Sequence, residues 1–206
     1  MRIDSVSQSP DRAGRYLVKF SDGSSLRLYR QTVEDFRMYP GLEIEDLDAL
    51  RAHDSRYSAK MRAVRIISAS AVSRRDLETR LVRKGESEEQ ARAAVEWLEE
   101  LNLVDDRQTA RQIVDSCVRK GYGLQRAKQA LYEKQIPKDL WEEVLEDYPD
   151  QLDRIADFLR TRLRDPEDPK QVRRAIDAAL RRGHSYADVK RALERIGTKS
   201  EFEEEY

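Results

Sequence analysis

The stretch RKGYGLQRAKQALYEKQIP occupies residues 119–137. It sets two glycines around a tyrosine, then spaces Leu124, Ala127 and Leu131 at the helical period, and stops at Pro137. Glycine after a cationic helix end is the usual left-handed C′ residue, and it is placed here at Gly121. Proline fits the first turn of a following helix, where its missing N–H costs nothing. No G-x-x-x-x-G-K-[ST] motif is present, so the glycines do not make a phosphate loop. The stretch reads as a joint between two amphipathic helices, and the flanking sequence takes the same form.

Upstream, DDRQTARQIVDSCVRKG carries Ala110, Ile113, Val114, Cys117 and Val118 as one apolar stripe. SEEQARAAVEWLEELNLV opens with the capping box Ser87-x-x-Gln90, and SRRDLETRLVRKG with Ser73-x-x-Asp76. Downstream, PKDLWEEVLEDY, DQLDRIADFLRTRL, KQVRRAIDAALRRG and SYADVKRALERIG are further helices, and Asp168-Pro169 starts one of them. LETRLVRKG, AKQALYEKQ and AIDAALRRG end at Gly85, Gln135 and Gly183, a spacing of about 50 residues that suits a helical repeat array. Three units of three helices are expected, at 56–104, 105–148 and 149–197.

Residues 1–55 follow a different pattern. RYLVKF and SLRLYR alternate β-formers around Asp22-Gly23, a hairpin signal, so 15–20 should pair with 24–30. TVEDFRMY reads as a short helix ended by Pro40-Gly41, and EIEDLDALRAHDSRY as an acidic one with Ile44, Leu47 and Leu50 on one side. The expected fold is mainly α: three tandem three-helix repeats forming an elongated curved module, with a small N-terminal β-hairpin plus helix extension. Residues 198–206 are expected to be an acidic tail.

Composition agrees with a helical array of high surface-to-core ratio. Of 206 residues, 39% are hydrophobic and 38% charged, and the mean hydropathy is −0.83. The net charge is only −1, but the charge is segregated. Basic residues dominate 56–84, acidic residues occupy 139–153 without a cation, and the end is acidic again. The single cysteine, Cys117, excludes an intramolecular disulfide, and its place in an apolar stripe marks a buried thiol. No apolar run approaches the length of a membrane span, and the start lacks a signal-peptide core, so the expectation is a cytoplasmic protein. Catalysis has no constellation to rest on. His53 and His184 are the only histidines, neither has a ligand partner at i+3 or i+4, and no nucleotide or nucleophile motif occurs. No cofactor and no metal are expected. Trp97 and Trp141 sit beside helical apolar stripes, as core residues do.

Four segments, in order, carry a resemblance. LEELNLVDDRQTARQIV has Leu98, Val104, Asp106 and Ala110 where the RecX family has its L-x-x-x-x-x-[LIV]-x-D-x-x-x-A pattern. VRKGYGLQRAKQALYEKQIP resembles the family's next signature, SRRDLETRLVRKG its first, and ALRRGHSYADVKRAL its last, so that the match spans about 58–197. Gln135 stands where the family has glycine, and Asp76 where glutamate is common. The resemblance implies a non-enzymatic, monomeric regulator acting in DNA repair, recombination and the SOS response. It would bind the RecA recombinase filament on single-stranded DNA, take double-stranded DNA more weakly, and inhibit ATP hydrolysis and strand exchange. Filament or DNA contact is assigned to Arg74, Arg75, Arg83 and Lys84 in the first unit, and to Arg111, Arg119, Lys120, Tyr122, Arg126 and Lys128 in the second. The guanidinium fork and the ammonium both suit phosphate. The alternatives are a helical DNA-binding module with no recombinase partner, since helix–turn–helix pairs recur along the chain, and a protein-only helical scaffold.

Overall fold

A computed structural model describes residues 1–10 and 14–197; the acidic tail expected at 198–206 lies outside them. The chain forms two compact units, one of 1–70 with 76–104, the other of 71–75 with the residues from 105 onward.

In the first unit, strands β1 (Ile3–Gln8), β2 (Arg15–Phe20) and β3 (Ser25–Tyr29) make an antiparallel sheet in that order. The hairpin expected at 15–20 and 24–30 is present, with Arg15 opposite Tyr29 and Lys19 opposite Ser25. It is not alone: β1 adds a third strand, pairing Gln8 with Tyr16 and Val6 with Val18. IDSVSQ does not alternate: its apolar residues Ile3 and Val6 are three apart and the ladder shifts register between Ile3 and Ser5, so its strand character comes from pairing rather than pattern. Its outer edge is met at the start, by Ile3 N–H to Leu42 O at 2.8 Å, and just before it Ile44 N–H donates to Met1 O at 2.7 Å.

One face of this sheet is covered by α1 (Arg30–Asp35) and the start of α2 (Leu47–Ala69). Ile3, Val18, Phe20, Leu28, Val33, Met38, Ile44 and Leu50 form the shared core. Asp54 of α2 ties the two layers together: its Oδ1 accepts the Tyr29 N–H at 2.7 Å and the Thr32 hydroxyl at 2.8 Å, and its Oδ2 lies 3.4 Å from Arg15. The boundary expected between residues 55 and 56 therefore falls inside a continuous 23-residue helix. A three-stranded sheet must bury one face to be stable, and α2 supplies the cover. Helices α3 (Arg74–Arg83) and α4 (Glu88–Glu100) follow, and α4 carries the expected capping box, Ser87 with Gln90.

In the second unit, α5 (Asp106–Arg119), α6 (Leu124–Glu133), a 3-10 turn (Lys138–Leu140) and α7 (Trp141–Leu145) enclose Ala110, Val114, Leu131 and Ile136. Helices α8 (Leu152–Arg160), α9 (Pro169–Arg181) and α10 (Tyr186–Arg195) enclose a second core of Ile155, Ala156, Leu159, Val172, Ile176, Ala179, Val189 and Leu193. The short segment 71–75 joins this unit by polar ties. The Ser73 hydroxyl donates to Lys134 O at 2.6 Å, Thr109 Oγ1 donates to Val72 O at 3.4 Å, and the Arg74 N–H donates to Asp106 Oδ1 at 2.8 Å. The Asp106 of the family pattern thus holds the start of α3. No helix among the described residues is long and apolar enough to cross a membrane.

Candidate functional site

The joint at 119–137 is met by polar groups from three later segments of the second unit. Gly121 has φ of 64°, the left-handed conformation expected of it. Gly123 has an ordinary φ of −79° and is glycine for another reason. A Cβ there would overlap the carbonyl of Gly183, and a Cβ at Gly183 would overlap the backbone of Arg126. Two turns, α5–α6 and α9–α10, are therefore pressed backbone to backbone. Gly123 N–H donates to Arg182 O at 2.9 Å and Gln125 N–H to Gly183 O at 3.2 Å.

Side chains from later helices then satisfy the carbonyls at the end of α5. Arg154 donates to Val118 O and Arg182 to Lys120 O. His184 Nε2 lies 3.2 Å from Gly121 O, and the Tyr148 hydroxyl donates to Tyr122 O at 2.7 Å. Cations at the C-terminal end of a helix are favoured by its dipole. Arg182 also lies 5.1 Å from the centre of the Tyr122 ring. Burial, the largest cause, holds His184 below its ordinary pKa of 6.5; Arg182 adds to this, while the Gly121 carbonyl and Asp188 oppose it. Burial pushes Tyr148 up to about 12 and raises the buried Cys117 thiol.

The assigned residues divide by environment. Arg83, Lys84, Arg119 and Lys120 are exposed, and none has a carboxylate partner among the described residues. Arg74 and Arg75 are also exposed, at the start of α3. Arg111 is already engaged, 2.8 Å from Glu143, which Arg107 meets from the other side at 3.2 Å. Arg126 pairs with Glu133 at 3.3 Å. Lys128 is half-buried at a hollow lined by Leu124, Trp141 and Leu145. Tyr122 is half-buried against Arg182 rather than presented as an open platform. The acidic run 139–153, read as uncompensated, meets cations of its own unit: Asp153 lies 2.8 Å from Arg195 and Asp150 lies 3.9 Å from Arg191.

Sequence reading missed Arg154, Arg182 and Tyr148, because their partners lie 36, 62 and 26 residues away and no local period marks such pairs. The one available signal was Gly183 in RRGHS, which repeats the basic-glycine turn of residues 119–123.

Comparison with known proteins returns the same likeness. The family model described as RecX, second three-helix domain, matches residues 105–145, the α5–α7 group. A regulatory protein RecX of Prosthecochloris aestuarii is 35% identical over 88 residues, 42% of this chain and 58% of that protein. The chain therefore spans less than two thirds of that relative's length. A regulatory protein RecX of Vibrio parahaemolyticus is 26% identical over 139 residues, 66% of this chain and 90% of that protein. Among solved structures, that of a regulatory protein RecX superposes with a TM-score of 0.64 at 18% identity, covering 96% of this chain and 99% of that one. The RecX structure from Lactobacillus salivarius gives 0.61 at 18%, covering 70% and 98%. These two share the fold. With the family model on the middle helices and two relatives matched over about two thirds of its length, the chain is similar to regulatory RecX proteins.

Proposed function

We propose that this protein regulates a RecA recombinase by binding its filament on single-stranded DNA, lowering ATP hydrolysis and strand exchange. The helical units 56–104, 105–148 and 149–197 are the docking body in this reading, and the match of residues 105–145 to a three-helix RecX domain supports the middle one. The observation that carries the reading is the likeness to RecX regulatory proteins. The basic residues add a means. Of the assigned residues, Arg83, Lys84, Arg119 and Lys120 are exposed and unmatched by carboxylates among the described residues, so they are free to meet phosphate. Arg111 and Arg126 must first leave Glu143 and Glu133, and contribute less. Tyr122 and Arg182 act together, as a stacked pair, rather than as a bare ring.

The deciding experiment is RecA ATP hydrolysis on single-stranded DNA, titrated with this protein well below one molecule per RecA monomer. Inhibition is expected there. The variant carrying Arg83, Lys84, Arg119 and Lys120 → Glu should inhibit far less. Its DNA affinity should also lose about three units of log–log salt slope, at ~0.7 per phosphate contact on single strands. Wild-type protein that leaves hydrolysis untouched while retaining salt-sensitive binding to bare DNA would replace this reading with that of a DNA-binding module.

A further inference from the structure

The first unit holds a groove, of about 340 Å³, lined by His53, Arg56, Tyr57 and Lys60 of α2 and by Gln90, Ala93 and Ala94 of α4, with Asp35 at one end. On α2 the lining residues fall at i, i+3, i+4 and i+7, a single stripe, and on α4 at i, i+3 and i+4. One helix therefore brings long cationic side chains and the other brings small ones, and space is left between them.

The polar groups of this groove are unevenly satisfied. Arg56 and Lys60 lie one turn apart, and neither meets a carboxylate among the described residues. Other cations of the same unit are used internally, as Arg62 is with Glu86 at 3.1 Å and Arg80 with Asp76 at 2.9 Å. The one carboxylate of the lining, Asp35, is occupied by His53 Nε2 at 3.3 Å and Gln31 at 2.9 Å. Gln90 spends its Oε1 on the Ser87 N–H of the capping box, at 3.4 Å. Its amide nitrogen is left as a donor. Across Ala93, a neighbouring hollow is lined by Glu88, Glu89, Arg92 and Glu96, and its acidity confines an anion to the Arg56–Lys60 side.

We infer that this groove binds a phosphate group, with the Arg56 guanidinium and Lys60 ammonium from one helix and the Gln90 amide from the other as donors. Donors from two directions suit a tetrahedral oxyanion, and arginine beside lysine joins a planar fork to a point charge. The phosphate is either a free one or a diester of a nucleic-acid strand, which offer the same oxygens. The site lies in the helical unit 56–104 of the docking body but shares none of the cations assigned to filament contact.

The protein contains its own reporter. Lys60 Nζ lies 4.8 Å from the centre of the Trp97 ring, so an anion drawing on Lys60 changes the surroundings of that indole. Trp141, in the other unit and bonded through Nε1 to Ile136 O at 3.1 Å, serves as internal control. The experiment follows the two indole N–H resonances of the full chain at constant ionic strength. One titration uses inorganic phosphate and a second uses an oligothymidylate without terminal phosphates. A saturable shift of Trp97 alone is expected in at least one. A response to inorganic phosphate identifies a free-phosphate site, and a response to the oligonucleotide only identifies a phosphodiester site. Arg56→Gln, which leaves the Lys60–Trp97 contact in place, should weaken binding about tenfold, and Arg56→Gln with Lys60→Gln should abolish it. No shift with either titrant, parallel shifts of both tryptophans, or an undiminished shift in the double variant would overturn the assignment. No recombinase is present in this titration, so its failure and that of the filament reading are told apart.

Discussion

Gln135 ends α6 with φ of 53°, in the left-handed region that Gly85, Gly121 and Gly183 occupy at φ of 94°, 64° and 84°. The backbone geometry of the family's glycine is thus kept without the glycine. The Gln135 N–H still donates to Tyr132 O at 2.9 Å and the Ile136 N–H to Leu131 O at 3.0 Å. A side chain in this conformation costs about 1 kcal/mol, and a new glycine costs part of that in unfolded-state entropy. Gln135→Gly should therefore stabilise the second unit by about 0.5 kcal/mol. Gly121→Ala should destabilise it by about 1 kcal/mol. Urea denaturation followed by Trp141 emission measures both, and a destabilised Gln135→Gly variant would show that the glutamine side chain holds something its geometry does not reveal.

At the scale of elements, the decisive contact is turn against turn. Gly123 and Gly183 allow the α5–α6 and α9–α10 joints to share hydrogen bonds, and so couple two helical triples, each with its own apolar core. Gly123→Ala must push the turns apart, break the Gly123-to-Arg182 bond and strip α5 of the cations on its last carbonyls. A loss of about 3 kcal/mol is expected, at the upper end of overpacking costs. Amide exchange should report it as lost protection at Gly123 and Gln125 while the Ile155–Leu193 core stays protected. Equal loss in both triples would mean that neither folds without the joint. The glycines themselves were legible in the sequence as helix ends. Their meeting was not, since a helix end looks alike whether it faces solvent or another helix end.

At the scale of the whole molecule, two buried groups of the second unit make its stability depend on pH in opposite senses. His184 is buried at the joint and its folded pKa is held below 6.5. The unfolded chain then binds more protons as pH falls, so the second unit is fully stable above about 6.5 and loses stability as pH drops below that toward the folded value. Asp106 acts in the opposite sense, because burial raises its carboxyl, but around the lower carboxylate range near 3.8. Thermal unfolding between pH 7.5 and 5.5 should show a falling midpoint for the second unit, and His184→Gln should flatten that fall. An unchanged slope in the variant would place the proton elsewhere.

The sequence by itself determined the local elements. Apolar stripes at the helical period, the Ser87–Gln90 box, Asp168-Pro169 and Asp22-Gly23 each act over a few residues, so they can be read without knowing what lies beyond. It also carried the RecX resemblance, through four ordered segments. Tertiary structure decided what depends on distant partners. IDSVSQ became a strand because RYLVKF offered it a ladder. Residues 1–55 joined the first helices because the sheet needed α2 as its cover and Asp54 as its tie. The cations were sorted in the same way. Arg62 and Arg154 meet a carboxylate or carbonyl, as Arg182 does while also stacking on Tyr122, and Arg56, Lys60, Arg83 and Lys120 meet no carboxylate among the described residues, because only folding determines which charge finds a partner.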